Sequence, residues 1–61
     1  METVENVIST FESDTAGWSL EKRIEWIERS LDYGWVDMDI EMVTVLDLAF
    51  NKLLDKYRKL I

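Results

Sequence analysis

The sequence predicts an all-α fold whose centre is an antiparallel helical hairpin. Apolar residues recur at helical spacings of three and four along most of the chain, and proline is absent. The two glycines, Gly17 and Gly34, fall where this pattern breaks, as is typical of connectors between helices. We therefore expect one domain over residues 1–61, with a short helix at 3–12 and hairpin helices at 19–33 and 37–60.

The first segment is predicted to form the short helix. Its apolar residues follow helical spacing: Val4, Val7, Ile8 and Phe11. Thr3 is available as an N-cap. Three of the apolar residues are β-branched, which lowers helix propensity, so a disordered or strand-like segment stays open as an alternative. Residues 13–17 are expected to connect to the next helix, because Ser, Asp and Thr side chains compete for backbone hydrogen bonds.

The second segment has the clearest amphipathic pattern. Its apolar residues lie four, three and four positions apart on one helix face: Leu20, Ile24, Ile27 and Leu31. Ser19 is expected to cap the start of this helix, and Gly34 to end it in a left-handed conformation. Glu25 and Arg29 are spaced to form an ion pair along the exposed side.

The third segment carries a heptad-like seam and is predicted to start at Asp37 or Asp39, either of which can cap it. The seam consists of Val43, Leu46, Phe50, Leu53, Tyr57 and Leu60. Neighbouring Ile40, Leu54 and Ile61 are expected to widen the apolar face. This helix is longer than the second one, so part of its seam needs another cover. The first segment could provide it in a three-helix bundle, or a second copy could in a dimeric four-helix bundle.

Composition excludes several kinds of site. The chain has neither cysteine nor histidine, so disulfides and the usual zinc sites are excluded, and we expect no metal and no cofactor. A net charge of −6 disfavours direct binding to nucleic acid or anionic lipid. No apolar run approaches the roughly 18 residues that would cross a bilayer. We therefore expect no membrane association and a cytoplasmic location.

The candidate contact residues are aromatic or polar. Without histidine to activate a serine, a catalytic triad is excluded. Trp26 lies beside the apolar stripe, so part of its ring is expected to be accessible, while Trp35 and Tyr33 lie at the connector between the hairpin helices. Each could pack the core or lock the hairpin, or could contact a partner. Asp47 and Asn51, one helical turn apart beside the seam, are read either as a polar shoulder or as partner contacts.

Residues 20–60 resemble the small sporulation-regulating aspartyl-phosphate phosphatases of Bacillus-type bacteria. The residues that carry the likeness are Ile24-Glu25 through Leu31, Val45-Leu46, and Leu53-Leu54-Asp55-Lys56-Tyr57. The family's signature, Ser-Gln-x-x-Asp, is replaced here by Asp47, Leu48 and Asn51. Dephosphorylation needs a polar side chain that orients water in line with phosphorus, which leucine cannot do. The resemblance therefore implies a helical hairpin and a response-regulator partner, and favours binding without catalysis.

These observations favour a small noncatalytic protein that binds and modulates a bacterial regulatory protein, with a response regulator as the candidate partner. One alternative is an aspartyl-phosphate phosphatase that uses Asp47 and Asn51 on a response regulator. Another is a phage-encoded inhibitor of a host enzyme or DNA-binding protein, since such inhibitors share the small size, acidity and lack of catalytic residues seen here. Homodimerisation stays open in each case.

Overall fold

A computed structural model describes residues 3–34 and 38–61, which form three α-helices. Helix α1 comprises Val4–Asp14, α2 comprises Leu20–Tyr33 and α3 comprises Ile40–Leu60. Both α1 and α2 pack against α3. The predicted all-α hairpin with a short N-terminal helix is therefore confirmed.

Side-chain caps define the starts of the first two helices, as the sequence predicted. The hydroxyl of Thr3 accepts a hydrogen bond from the Asn6 amide at 3.1 Å, and the hydroxyl of Ser19 accepts one from the Lys22 amide at 3.2 Å. Each bond satisfies an amide that has no partner within its own helix. At the start of α3, Asp39 occupies the N-cap position without a side-chain hydrogen bond. The alternative cap, Asp37, lies outside the described residues.

The first helix is longer than the sequence predicted. Ser13 and Asp14, which were expected in the connector, belong to its last turn. Thr15 then ends the helix, since its backbone amide and its hydroxyl both donate to the carbonyl of Phe11, at 3.0 and 2.8 Å. The connector is shorter than predicted because the hydrogen bonds of Thr15 extend the helical pattern, whereas the prediction assumed that they would compete with it.

Gly34 follows α2, which ends at Tyr33 as predicted. Its φ of 73° confirms that a glycine-type conformation is needed at this position. Its ψ of −177° is extended, however, so the expected left-handed helical cap is wrong. This combination of angles is almost restricted to glycine and lets the chain leave the helix in an extended direction.

The core lies at the junction of the three helices. Its buried members are Phe11, Ile27, Ala49, Phe50, Leu53, Leu54 and Tyr57. Against it pack the remaining aliphatic residues of the first two helices: Val4, Val7, Ile8, Leu20, Ile24 and Leu31. Within the chain, α1 therefore supplies the additional cover that the long seam of α3 requires.

Both ends of the predicted apolar face of α3 project beyond this core. Leu60 was assigned to the seam but is 62% exposed, and Ile40 and Ile61, expected to widen the face, are 79% and 70% exposed. Those three assignments are wrong because α1 and α2 cover only the middle of α3 and the turns leading to Tyr57. Leu54, in contrast, is buried as expected.

Contacts between the helices define their directions. Arg23, near the start of α2, reaches Tyr57 near the end of α3. Trp26, later in α2, contacts Phe50, earlier in α3, so the two helices run antiparallel. Opposite sides of α1 reach opposite halves of α3. Glu12 bonds Lys56 in the C-terminal half, whereas Val7 lines a groove with residues of the N-terminal half. Helix α1 therefore lies across α3.

Candidate protein-binding surface

Trp26 is partly core and partly surface. Its ring centroid lies 5.5 Å from that of Phe11 and 5.9 Å from that of Phe50, and the two phenylalanine rings are 5.6 Å apart. These tilted and edge-on arrangements suit aromatic quadrupoles. Trp26 is nevertheless 44% exposed, which confirms that part of its ring is accessible. The indole is thus held in place by the core while one side faces solvent.

Trp26 belongs to a longer row on the outside of α2, which we call the aromatic–cationic stripe. Its members are Trp18, Lys22, Trp26, Arg29 and Tyr33. Steps of four, four, three and four residues place the helical members on one side of α2. Two shallow depressions follow this row and share Arg29: one of about 300 Å³ beside Trp18 and Trp26, and one of about 570 Å³ beside Tyr33.

Local contacts orient the cations of the stripe. The ammonium group of Lys22 lies 4.9 Å from the centre of the Trp18 ring, a cation–π geometry. Arg29 pairs with Glu25 at 3.0 Å, as the sequence predicted, with both side chains largely exposed. Because exposed pairs of this kind contribute little stability, either cation can turn to a partner at small cost.

Tyr33 is largely exposed, with 83% of its surface accessible. Its position at the last residue of α2 explains this, since the chain leaves the helix at Gly34. Tyr33 therefore does not lock the hairpin from within a buried position. Trp35, which was proposed beside it, lies outside the described residues.

The polar pair predicted on α3 is separate from this stripe. The Asn51 side-chain amide donates to the backbone carbonyl of Asp47 at 2.8 Å, and both residues are exposed. This bond runs along the helix's own backbone and leaves the pair on an open surface. Within the described residues, no hydrogen bond or ion pair joins Asp47 or Asn51 to the stripe.

The partly buried polar groups instead form a clasp that joins all three helices. Arg23 donates from Nη2 and Nε to the carbonyl of Thr15, at 2.8 and 3.1 Å, and its Nη1 lies 3.5 Å from the Tyr57 hydroxyl. That hydroxyl donates to Glu12 at 3.2 Å, and Lys56 donates to the same carboxylate oxygen at 2.8 Å. These contacts hold the α1–α2 connector against the end of α3.

The clasp shifts the ionisation of its members. The hydrogen bond from Lys56 holds the pKa of Glu12 below its ordinary value, and the same bond raises the pKa of Lys56. Burial raises the pKa of Tyr57, with the neighbouring Glu12 charge acting in the same direction. Each shift favours the charge state that the observed bonds require. The clasp is therefore structural, since its donors and acceptors are already paired.

No cluster of three or more potential metal ligands occurs in residues 3–34 and 38–61. Over those same residues, no helix combines the length and the apolar character that crossing a bilayer requires. A scan against protein-family models and searches of curated proteins and of solved structures returned no match. The resemblance to aspartyl-phosphate phosphatases consequently stays a prediction.

Two members of the aromatic–cationic stripe, Trp26 and Tyr33, were predicted as partner contacts from sequence. Trp18, Lys22 and Arg29, which lie beside them in the stripe, were not among the predicted contacts. The signal that would have found them is their spacing, which places aromatic and basic residues alternately on one side of a helix. The exposure of the row depends on the other helices and could not be read from the spacing.

Proposed function

We propose that this chain is a small noncatalytic regulatory protein that binds a bacterial regulatory protein through the aromatic–cationic stripe of α2. A response regulator is the candidate partner, and the cytoplasm is the compartment in which the two would meet. The observation that carries the proposal is the stripe itself. Tryptophan, tyrosine and arginine are the residue types most enriched among binding hot spots, and the stripe contains all three.

The fixed position of Trp26 supports a binding role. Phe11 and Phe50 pack against its ring in the free protein, so little side-chain freedom is lost when a partner covers the exposed side. Tyr33 adds a large ring with a hydroxyl that can hydrogen-bond at an interface. An aromatic surface already held in position is an efficient anchor for a protein partner.

Charge suggests what the partner presents. The protein carries a net charge of −6, and only Lys22, Arg23 and Arg29 are basic in residues 1–47. Arg23 is engaged in the clasp, whereas Lys22 and Arg29 lie in the stripe. A partner surface with an apolar centre and carboxylates at its edge would match this arrangement, with opposite charges setting orientation and association rate.

Catalysis is not needed for this function. The Asn51 side chain donates to the backbone of its own helix. Leu48 stands where the resembling phosphatases have glutamine, and leucine cannot orient water. Inhibition or activation by occupancy requires only that the covered surface of the partner matter to its activity. The phosphatase alternative makes a distinct prediction: the chain would shorten the lifetime of phosphoryl label on a receiver domain. An unchanged lifetime of the phosphoryl label would exclude the phosphatase alternative.

The proposal is tested by capture from host lysate with immobilised wild-type protein, Tyr33→Ala and Leu60→Ala. Tyr33 and Leu60 are both largely exposed, at 83% and 62%, so neither substitution should alter the fold. A regulatory protein retained in stoichiometric amount by the wild type and Leu60→Ala, and lost with Tyr33→Ala, would support the stripe. Equal retention by both variants would contradict it. Retention of a phage-targeted enzyme or a DNA-binding protein would favour the inhibitor alternative.

A further inference from the structure

A second surface lies in the groove between α1 and the N-terminal half of α3, which we call the methionine groove. Its volume is about 350 Å³. Helix α3 and the residues just before it contribute Met38, Met42, Leu46 and Phe50, and α1 contributes residues that include Val7 and Asp14. Trp26 packs against Phe50 from elsewhere but does not line this groove. The groove therefore uses residues that the proposed stripe does not.

The spacing of the α3 residues indicates the shape of the occupant. Met42, Leu46 and Phe50 are each four positions apart, which places them in one row along the surface of α3. Met38 precedes the helix and extends the apolar lining beyond its start. Rows of this kind are the ridges and grooves into which another helix packs. From Met42 to Phe50 the row extends about 12 Å, or roughly two helical turns. The methionines add adaptable apolar contacts, as in other grooves that accept a helix.

The charge of the groove indicates which charge the occupant carries beside its apolar face. Asp14 is the charged residue among those described as lining it. As the last residue of α1, Asp14 places a negative charge where the helix macrodipole disfavours one. Glu12, in the same turn, is compensated by Lys56, whereas Asp14 is exposed and forms no ion pair within the described residues. An incoming cation would satisfy a charge that the fold leaves uncompensated.

We propose that the methionine groove binds an amphipathic helix of a partner protein. The apolar face of that helix packs on the row from Met42 to Phe50 and on Met38 before it, and a lysine or arginine on its flank pairs with Asp14. This inference goes beyond the stripe on α2, because a protein that lost all binding at Tyr33 would still present the groove intact.

Charge selectivity is tested with three fluorescein-labelled synthetic helices that share one leucine face and carry lysine, glutamine or glutamate flanks. Binding is measured by fluorescence anisotropy at about 150 mM salt, where long-range attraction is largely screened. We expect the lysine peptide to bind tightest and the glutamate peptide weakest. Asp14→Asn should weaken the lysine peptide about three- to fivefold. Asp47→Asn removes the same charge outside the groove and should change its affinity less than twofold.

Seating in the groove is tested with Met42→Gln and Met38→Gln against Leu48→Gln. Met38 and Leu48 are matched in exposure, at 49% and 50%, but Leu48 does not line the groove. Both methionine variants should weaken the lysine peptide about tenfold, and the leucine variant less than twofold. Circular dichroism melts of all three variants verify folding, and Met38→Gln keeps the test valid if the half-buried Met42 proves sensitive.

Three outcomes would overturn the proposal. The glutamate peptide could bind as well as the lysine peptide, which would remove the role of Asp14. The methionine variants could bind like Leu48→Gln, which would mean that the peptide associates with the acidic surface generally. Light scattering of peptide-free samples could show a dimer that Met42→Gln dissociates, which would make a second copy of this chain the occupant.

Discussion

Replacing Arg23 by methionine should destabilise the protein more than any other loss of a single charge. The substitution keeps the aliphatic length but removes two charge-assisted hydrogen bonds to the carbonyl of Thr15, at 2.8 and 3.1 Å. It also removes a cation from the C-terminal end of α1, where the macrodipole favours one. Hydrogen bonds to charged groups contribute about 1.5–3 kcal/mol to stability. After the substitution the Thr15 carbonyl still accepts a hydrogen bond from the Trp18 amide, at 2.9 Å. We therefore expect the free energy of unfolding to fall by only about 1–2 kcal/mol.

Thermal unfolding followed by circular dichroism at 222 nm measures this effect. A domain of this size shifts its Tm by about 4–8 °C per kcal/mol, so Arg23→Met should lower Tm by about 4–16 °C. Arg29→Met is the matched control, because the Arg29 side chain is 73% exposed and, among the described residues, its ion pair is with the neighbouring Glu25. It should change stability by less than about 0.5 kcal/mol. Equal melting temperatures for the two variants would refute the reasoning, since the clasp would then contribute no more than a surface ion pair.

Three further changes probe the core and the clasp. Ile27 is fully buried. Its replacement by valine should lower the free energy of unfolding by about 0.5–1.5 kcal/mol, and its replacement by alanine by about 2–5 kcal/mol, as measured by urea unfolding. Trp26→Ala should lower Tm clearly more than Trp26→Phe, because alanine removes both ring contacts. The pKa of Glu12 is lower in the folded protein than in the unfolded chain, so its stabilisation is present at neutral pH and lost as pH falls below about 4.3. Stability–pH curves of Glu12→Gln should therefore show a weaker decline in acid than those of the wild type.

Local features of the fold could be predicted because the atoms that create them are close in sequence. Thr3 and Ser19 cap amides three residues away, and the burial of Ile27 follows from the helical spacing of the apolar residues of α2. Ala49 was missed because a small side chain adds little to an apolar pattern, although the close approach of helices buries it completely. Leu60 was placed wrongly because its exposure depends on where α1 crosses α3.

The candidate sites were less accessible to prediction, since each depends on the packing of separate helices. Arg23 appears in the sequence as one more base on a helix, and nothing local indicates that it reaches Thr15 and Tyr57. The methionine groove exists because α1 lies across α3 and leaves the N-terminal turns of α3 partly uncovered. In contrast, the partial exposure of Trp26 followed from its angle to the apolar stripe and was predicted correctly.

The binding role of the aromatic–cationic stripe is tested most directly by calorimetric titration of the purified regulatory protein that the wild type retains. We predict that Tyr33→Ala weakens its affinity at least about tenfold, as expected of an exposed hot-spot ring, while the melting temperature stays unchanged. Leu60→Ala should bind within about twofold of the wild type. Equal affinities for the two variants would contradict the account, because the partner would then be bound by another surface.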